Sequence, residues 1–127
     1  ALVTLAGGEN VMTHLPGDYG TEVSYGSILA ADPEVIVIPA GAEYTAQDVL
    51  NDENLAQVTA VKNGAVYAMP QNLEEWDSPI PTGLLGVLCL TRVLHTQVYD
   101  FETFQQDAQD FYKTFYVVEI PGDLITK

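Results

Sequence analysis

Positive charge is what this sequence has least of. Only Lys62, Arg92, Lys113 and Lys127 oppose 18 acidic residues, leaving a formal net charge of −14. Scattered cations cannot build the basic face that a phosphate backbone requires, so nucleic acid is excluded as a partner. Cysteine is almost as scarce. Cys89 stands alone in the apolar run "GLLGVLCLTRVL", so no disulfide can form within the chain. A single cysteine among leucines and valines is expected to be a buried, inert thiol. No stretch approaches the ~18 uninterrupted apolar residues of a membrane span. The opening "ALVTLAGG" lacks the basic start of a signal peptide.

Catalytic signatures are missing as well. The glycines of "GGEN" follow a predicted helix and not a strand, so they lack the setting of a phosphate-binding loop. There is no G-x-S-x-G elbow, and neither His14 nor His95 has a metal-ligating partner one turn on. His14 reads as an exposed loop residue. His95 reads as a helix-end residue whose charge suits the dipole. Glu74, Glu75 and Asp77 read as a solvated acidic face. The expectation is a protein that is not an enzyme, with no resident cofactor and no metal site of its own.

What is present is a foldable chain. Hydrophobic residues make up 47% of its 127 positions and charged ones only 17%, which argues for one ordered domain. "ALVTLA" predicts a short helix ended by Gly7-Gly8. "ENVMTHLPGDYGTE" is a long turn-rich loop, and "VSYGSILAADPE" a short helix capped by Ser24 and closed by Pro33. Its apolar face is expected to hold Tyr25, Ile28 and Leu29.

"VIVIPAG" is the clearest element. Val35, Ile36, Val37 and Ile38 form a β-branched run, as in a strand buried on both faces. A helix through "TAQDVLNDENLAQV" follows, with a break expected near Asn51. Asn63-Gly64 then turns the chain into a second strand, "AVYAM". Thr82 to Leu94 predicts an almost wholly apolar helix behind Pro81. "DFETFQQDAQDFYKTFY" predicts another, with Phe101, Phe104, Ala108, Phe111, Tyr112 and Phe115 at helical spacing. Residues 117–127 read as a loose tail or a short edge strand.

Strands alternating with helices imply an α/β fold, a three-layer α/β/α sandwich on a short, mainly parallel sheet. Ligands meet such sheets at the carboxyl ends of the strands. Two loops lie there, "PAGAEYT" and "PQNLEEWDSP". Tyr99, Tyr112 and Tyr116 read as packing residues, and Tyr67 as part of a strand. Tyr19, Tyr44 and Trp76 fall in loops, where an aromatic either folds onto the core or lines a cleft. For Trp76 the residues alone leave both open.

At "AGGENV", "DPEVIVI", "AVKNGAVYAMP", "LLGVLCLTRVLHTQVY" and "FYKTFY" the sequence resembles the C-terminal lobe of class III ABC-transporter substrate-binding proteins. That family carries ferric siderophores, haem and cobalamin. The resemblance spans residues 6 to 116 and implies that residues 1–127 are one lobe, a fragment without its N-terminal lobe and linking helix. It implies an extracytoplasmic protein, periplasmic or lipid-anchored, that captures an iron-siderophore, haem or cobalamin-type chelate between two lobes and delivers it to a membrane permease. Its partners are then a metal chelate or corrinoid and an ABC permease, and the lobe itself is a monomer. Which ligand is carried stays open.

By position, the resemblance implies ligand contacts at Tyr19, Gly41, Tyr44, Gln71, Asn72 and Trp76, with Trp76 favoured as cleft-facing. Pro79 and Pro81 are expected to stiffen its loop. The family commonly reads V-S-x-E, where the glutamate docks onto permease arginines. This chain has "VSYG", with Gly26 at that position, leaving Asp18 and Glu22 as docking candidates. Gly26 keeps alive a ligand-binding sensor or surface-binding domain without a permease. A cofactor-holding enzyme subunit of related fold, of the nitrogenase type, is the remaining alternative, and the single Cys89 counts against it.

Overall fold

The computed structural model describes residues 2–15, 21–70 and 73–125. Helix α1 (Leu2–Leu5) ends at Gly7, whose φ of +80° is open to glycine at little cost. Helix α2 (Tyr25–Ala31) begins where the Ser24 hydroxyl accepts the Ser27 N–H at 3.1 Å. It stops one residue earlier than Pro33 alone suggests, because Asp32 turns left-handed at φ 41°.

Asp32 then does a second job. Its carboxylate accepts the Thr59 N–H at 2.7 Å and the Thr59 hydroxyl at 2.9 Å, fastening the end of α2 to the start of α4 (Thr59–Lys62). The predicted helix after residue 45 does break where expected. Helix α3 (Ala46–Asn51) opens on a reciprocal capping box between Thr45 and Asp48. Asp52 ends it and caps a 3-10 turn, Glu53–Leu55.

Strands β1 (Ile36–Ile38) and β2 (Val66–Ala68) run parallel, with Ile36 opposite Val66 and Ile38 opposite Ala68. Neighbouring residues of β1 serve different cores. Ile36 packs with Leu55, Val58 and Ala60, while Val37 packs against the cluster of Trp76, Leu85, Leu90 and Phe104. A strand that feeds apolar groups to both sides, with helices beyond each, is the middle layer of an α/β/α sandwich. The expected fold class stands.

Helix α5 (Gly83–Leu94) and helix α6 (Phe101–Phe111) form the larger helical layer, with α1 laid against α5. Asp100 caps α6 by accepting the Thr103 N–H at 2.8 Å. The last predicted helical turn, Tyr112–Tyr116, is wider than α and winds as a π turn. Beyond it the chain forms neither a loose tail nor an edge strand over residues 120–125. The side chains of Gln105 and Gln109 donate to the carbonyls of Gly122 and Ile120, and Ile125 is buried in the main core.

His95 is the C-cap residue of α5, at the helix end where the sequence puts it, and its ring also joins two helices. Its Nε2–H donates to the Ala6 carbonyl at 3.0 Å, tying α1 to the end of α5. Arg92, in the last turn of α5, is buried between two rings, 5.4 Å from Tyr67 and 5.1 Å from Phe101. Tyr25 and Leu29 are exposed, so only Ile28 of the expected α2 face packs inward, against the smaller core.

Candidate functional site

Parallel strands release their following loops at the same end, so the described residues of the loops after β1 and β2 share one edge of the sheet. On the first loop, Gly41 adopts φ +78°, and its missing side chain faces open space. Tyr44 beside it is 52% exposed. Both lie on the loop that follows β1. Tyr19, Asp18, Gln71 and Asn72 lie outside the described residues. Glu22 is exposed on the approach to α2, and Gly26 is exposed in its first turn.

Trp76 corrects the sequence expectation. Its side chain is fully buried, stacked edge-on against Phe104 at 6.0 Å, with the indole N–H donating to the Tyr112 hydroxyl at 3.1 Å. A solute in the cleft has no route to that ring. The cause is local. Gly83 and Gly86 leave the front of α5 without side chains, and the loop backbone lies in that gap. A Cβ on Gly83 would stand 2.5 Å from the Ser78 carbonyl oxygen, and one on Gly86 would strike the Trp76 carbonyl. The loop can approach only because both are glycine, and Trp76 then reaches into the core.

The same loop fills the start of α5. The N–H groups of Gly83, Leu84 and Leu85 donate to the carbonyls of Ile80, Pro81 and Thr82, at 2.8, 3.2 and 2.9 Å. Those amides are already occupied, so this helix end presents no open anion cradle. Thr82 does not cap with its side chain. Its Oγ1 is buried without a hydrogen-bond partner among the described residues.

The described rim is acidic. Glu43 lies beside Tyr44, and Glu74, Glu75 and Asp77 surround Trp76 in sequence; all are exposed. Partial burial first, then Glu74, raises the phenol pKa of Tyr116. Burial likewise raises that of Tyr112. The described cations stand elsewhere: Lys62 and Arg92 in the last turns of α4 and α5, and Lys113 paired with Glu119 at 3.4 Å.

A further feature escaped the sequence reading. An open groove of about 1430 Å³ runs along β1, walled by Val3, Leu90 and Leu94 on one side and Tyr25, Ile28 and Val49 on the other. The Tyr25 hydroxyl donates to Asp52 at 2.7 Å on its wall. Its only trace in the sequence is the mismatch between a central-strand pattern and the single partner strand found.

Known proteins share this architecture. A periplasmic solute-binding protein from Veillonella parvula superposes over 97% of this chain with a TM-score of 0.83 at 24% identity, using 38% of its own length. An ABC transporter solute-binding protein from Sulfurospirillum deleyianum does so over 96%, with a TM-score of 0.79 at 27% identity, again over 38% of its length. The molybdate-binding protein MolA of Haemophilus influenzae is 29% identical over 96 residues, 75% of this chain. Those residues make up 27% of MolA, so the chain spans about a quarter of that relative. These relatives are binding proteins and not enzymes. The periplasmic binding protein family model matches residues 1–73, more than half of the sequence. With the parallel sheet and its shared loop edge, that match makes the chain a member of the periplasmic binding protein family, whose members act outside the cytoplasm.

Proposed function

We propose that this chain is the C-terminal lobe of the solute-binding component of an ABC importer, holding a metal-containing small solute between two lobes for delivery to a permease. The observation that carries it is the family match on a lobe whose two parallel strands deliver both loops to one edge. Gly41 and Tyr44 line that edge, and Asn72, Gln71 and Tyr19 are the partner residues expected from the sequence. Trp76 is withdrawn from the contact set.

Between solutes, the acidic rim and the occupied amides of α5 favour a metal chelate or corrinoid over a bare oxyanion. An aromatic such as Tyr44 packs on flat or apolar ligand parts, and neighbouring amides orient the polar ones. The second reading is an oxyanion, favoured by the likeness to a molybdate-binding protein. Glu22, and Asp18 if it faces the membrane, are the proposed contacts to permease cations.

Calorimetry on the complete two-lobed protein tests this with four probes in turn: a ferric siderophore, haem, cobalamin and molybdate. Binding of any of the first three supports the chelate reading. Binding of molybdate alone selects the oxyanion. Silence toward all four overturns the proposal.

A further inference from the structure

Tyr112 is gripped from both directions along the chain. Its N–H donates back to the carbonyls of Ala108 and Gln109 in α6. Its own carbonyl accepts the N–H groups of Val117 and Val118, the latter at 3.3 Å, which closes the π turn. That closure strains the backbone. Val117 stands at φ 56°, a left-handed conformation that a β-branched residue rarely adopts. The residue is 87% exposed, so burial of its own side chain does not offset the strain. π turns and strained backbone both concentrate where a side chain must be held for function.

What Tyr112 presents from that fixed backbone is its hydroxyl, which accepts the Trp76 indole N–H. Burial raises the phenol pKa, and hydrogen bonds from the Trp76 indole and the Glu74 backbone oppose it. Tyr116, its ring 5.4 Å from that of Tyr112, also lies within reach of the Glu74 carboxylate. Trp76 in turn carries the middle of the loop after β2. Its carbonyl lies in the notch at Gly86. On either side of it Ser78 is tied to Glu75, N–H to carbonyl at 3.4 Å and hydroxyl to carboxylate at 2.9 Å. The exposed Glu74, Glu75 and Asp77 therefore ride on a ring that is fixed from behind. Apolar packing is non-directional and would bury a phenylalanine there equally well. The indole N–H adds a direction, and with it a fixed orientation of the ring.

We infer that Tyr112 is a positioning residue for solute recognition: through the Trp76 indole it fixes where the described loop after β2 stands at the edge of the sheet. It touches no solute itself. The link to recognition rests on the proposed transport function, whereas the positioning of the loop does not.

Backbone nitrogen-15 relaxation on the complete two-lobed protein, without solute, tests the positioning. In the wild type Glu74, Glu75, Asp77 and Ser78 are expected at the rigid order parameter of about 0.85. Tyr112→Phe should drop them toward about 0.6, while Leu90 in α5 keeps its rigid value. Packing still holds the ring in the core but leaves it free to pivot. Tyr99→Phe is the control, removing the 2.6 Å bond to Asp107 from a tyrosine packed on the same core, and should leave the loop rigid. Order parameters are read in the folded state, so a lower denaturation midpoint alone does not move them. A loop that stays rigid in Tyr112→Phe overturns the inference. So does a loop already mobile in the wild type, or one loosened equally by the control.

A second arm titrates ferric siderophore, haem, cobalamin and molybdate. Whichever the wild type binds should bind roughly tenfold more weakly to Tyr112→Phe. The double variant with Trp76→Phe should bind no more weakly than Trp76→Phe alone, because the bond is already gone. Unchanged affinity in Tyr112→Phe overturns the link to recognition. Silence of the wild type toward all four counts against the transport reading instead, and the relaxation arm then decides the positioning by itself.

Discussion

The indole of Trp76 and the hydroxyl of Tyr112, 36 residues apart, meet in a buried hydrogen bond of 3.1 Å. It joins the loop after β2 to the π turn after α6. Tyr112→Phe removes the acceptor and leaves a buried N–H unpaired, which costs about 1–3 kcal/mol. Urea denaturation is expected to show that loss. The fluorescence of Trp76 should stay blue-shifted, as for a ring in a dry core, and should not be quenched by acrylamide in the folded protein.

Gly86→Ala makes a sharper test of the loop seat. Ala is the better helix former by about 1 kcal/mol, so an open site would gain stability. Here the added methyl meets the Trp76 carbonyl. We expect a net loss of about 1–3 kcal/mol, as for other overpacked sites, read as a lower denaturation midpoint.

Acid weakens the α2–α4 fastening. The Thr59 N–H and hydroxyl hold the Asp32 carboxylate charged, so its pKa lies below the ordinary 3.8. Asp48, Asp52 and Asp100 are lowered by hydrogen bonds in the same way. A group with a lowered folded pKa contributes fully above its unfolded value and loses that contribution as pH falls through the folded one. The denaturation midpoint is therefore expected to fall below about pH 4. Asp32→Asn should flatten part of that slope.

Cys89 is predicted to report on unfolding. Burial pushes its thiol up to about 11, with Arg92 pulling weakly the other way. Little thiolate exists at neutral pH, and the side chain is buried. Alkylation by iodoacetamide at pH 7.5 should be slow in the native protein and should rise in parallel with denaturant unfolding. Rapid native labelling would contradict the packing described.

Gly26→Glu restores the residue that the resemblance places in the permease contact. A Cβ there meets only the Ser24 hydroxyl, at 3.7 Å, so the side chain has room. Replacing glycine inside a helix should stabilise the lobe by about 0.5–1 kcal/mol. If permease docking depends on that glutamate, the full-length variant should also stimulate transporter ATPase at lower concentration.

The core strands, the capped helices and their order were legible because local chemistry sets them. Ser24 sits next to the amide it caps, and Ile36 to Ile38 declare a buried strand by type alone. Trp76 was not legible. Its partners, Gly86, Phe104 and Tyr112, lie on two helices beyond it in sequence, and no local signal says which way its ring turns. The tail failed for the same reason, since Ile125 is held by a core that only the folded chain assembles. Strand and helix order put both loops at one edge of the sheet, but the resemblance could not aim one side chain.

Pro70 and Trp76 are both fully buried, one closing β2 and the other pinned beneath α5. They act as two fixed posts for the stretch that lies between them in sequence. Changes of residue or length within a span do not have to disturb its posts. Substitutions at exposed Glu74 and Glu75 are therefore expected to leave the stability of the lobe nearly untouched. Diversity among relatives is expected to concentrate there, between the buried proline and the buried aromatic.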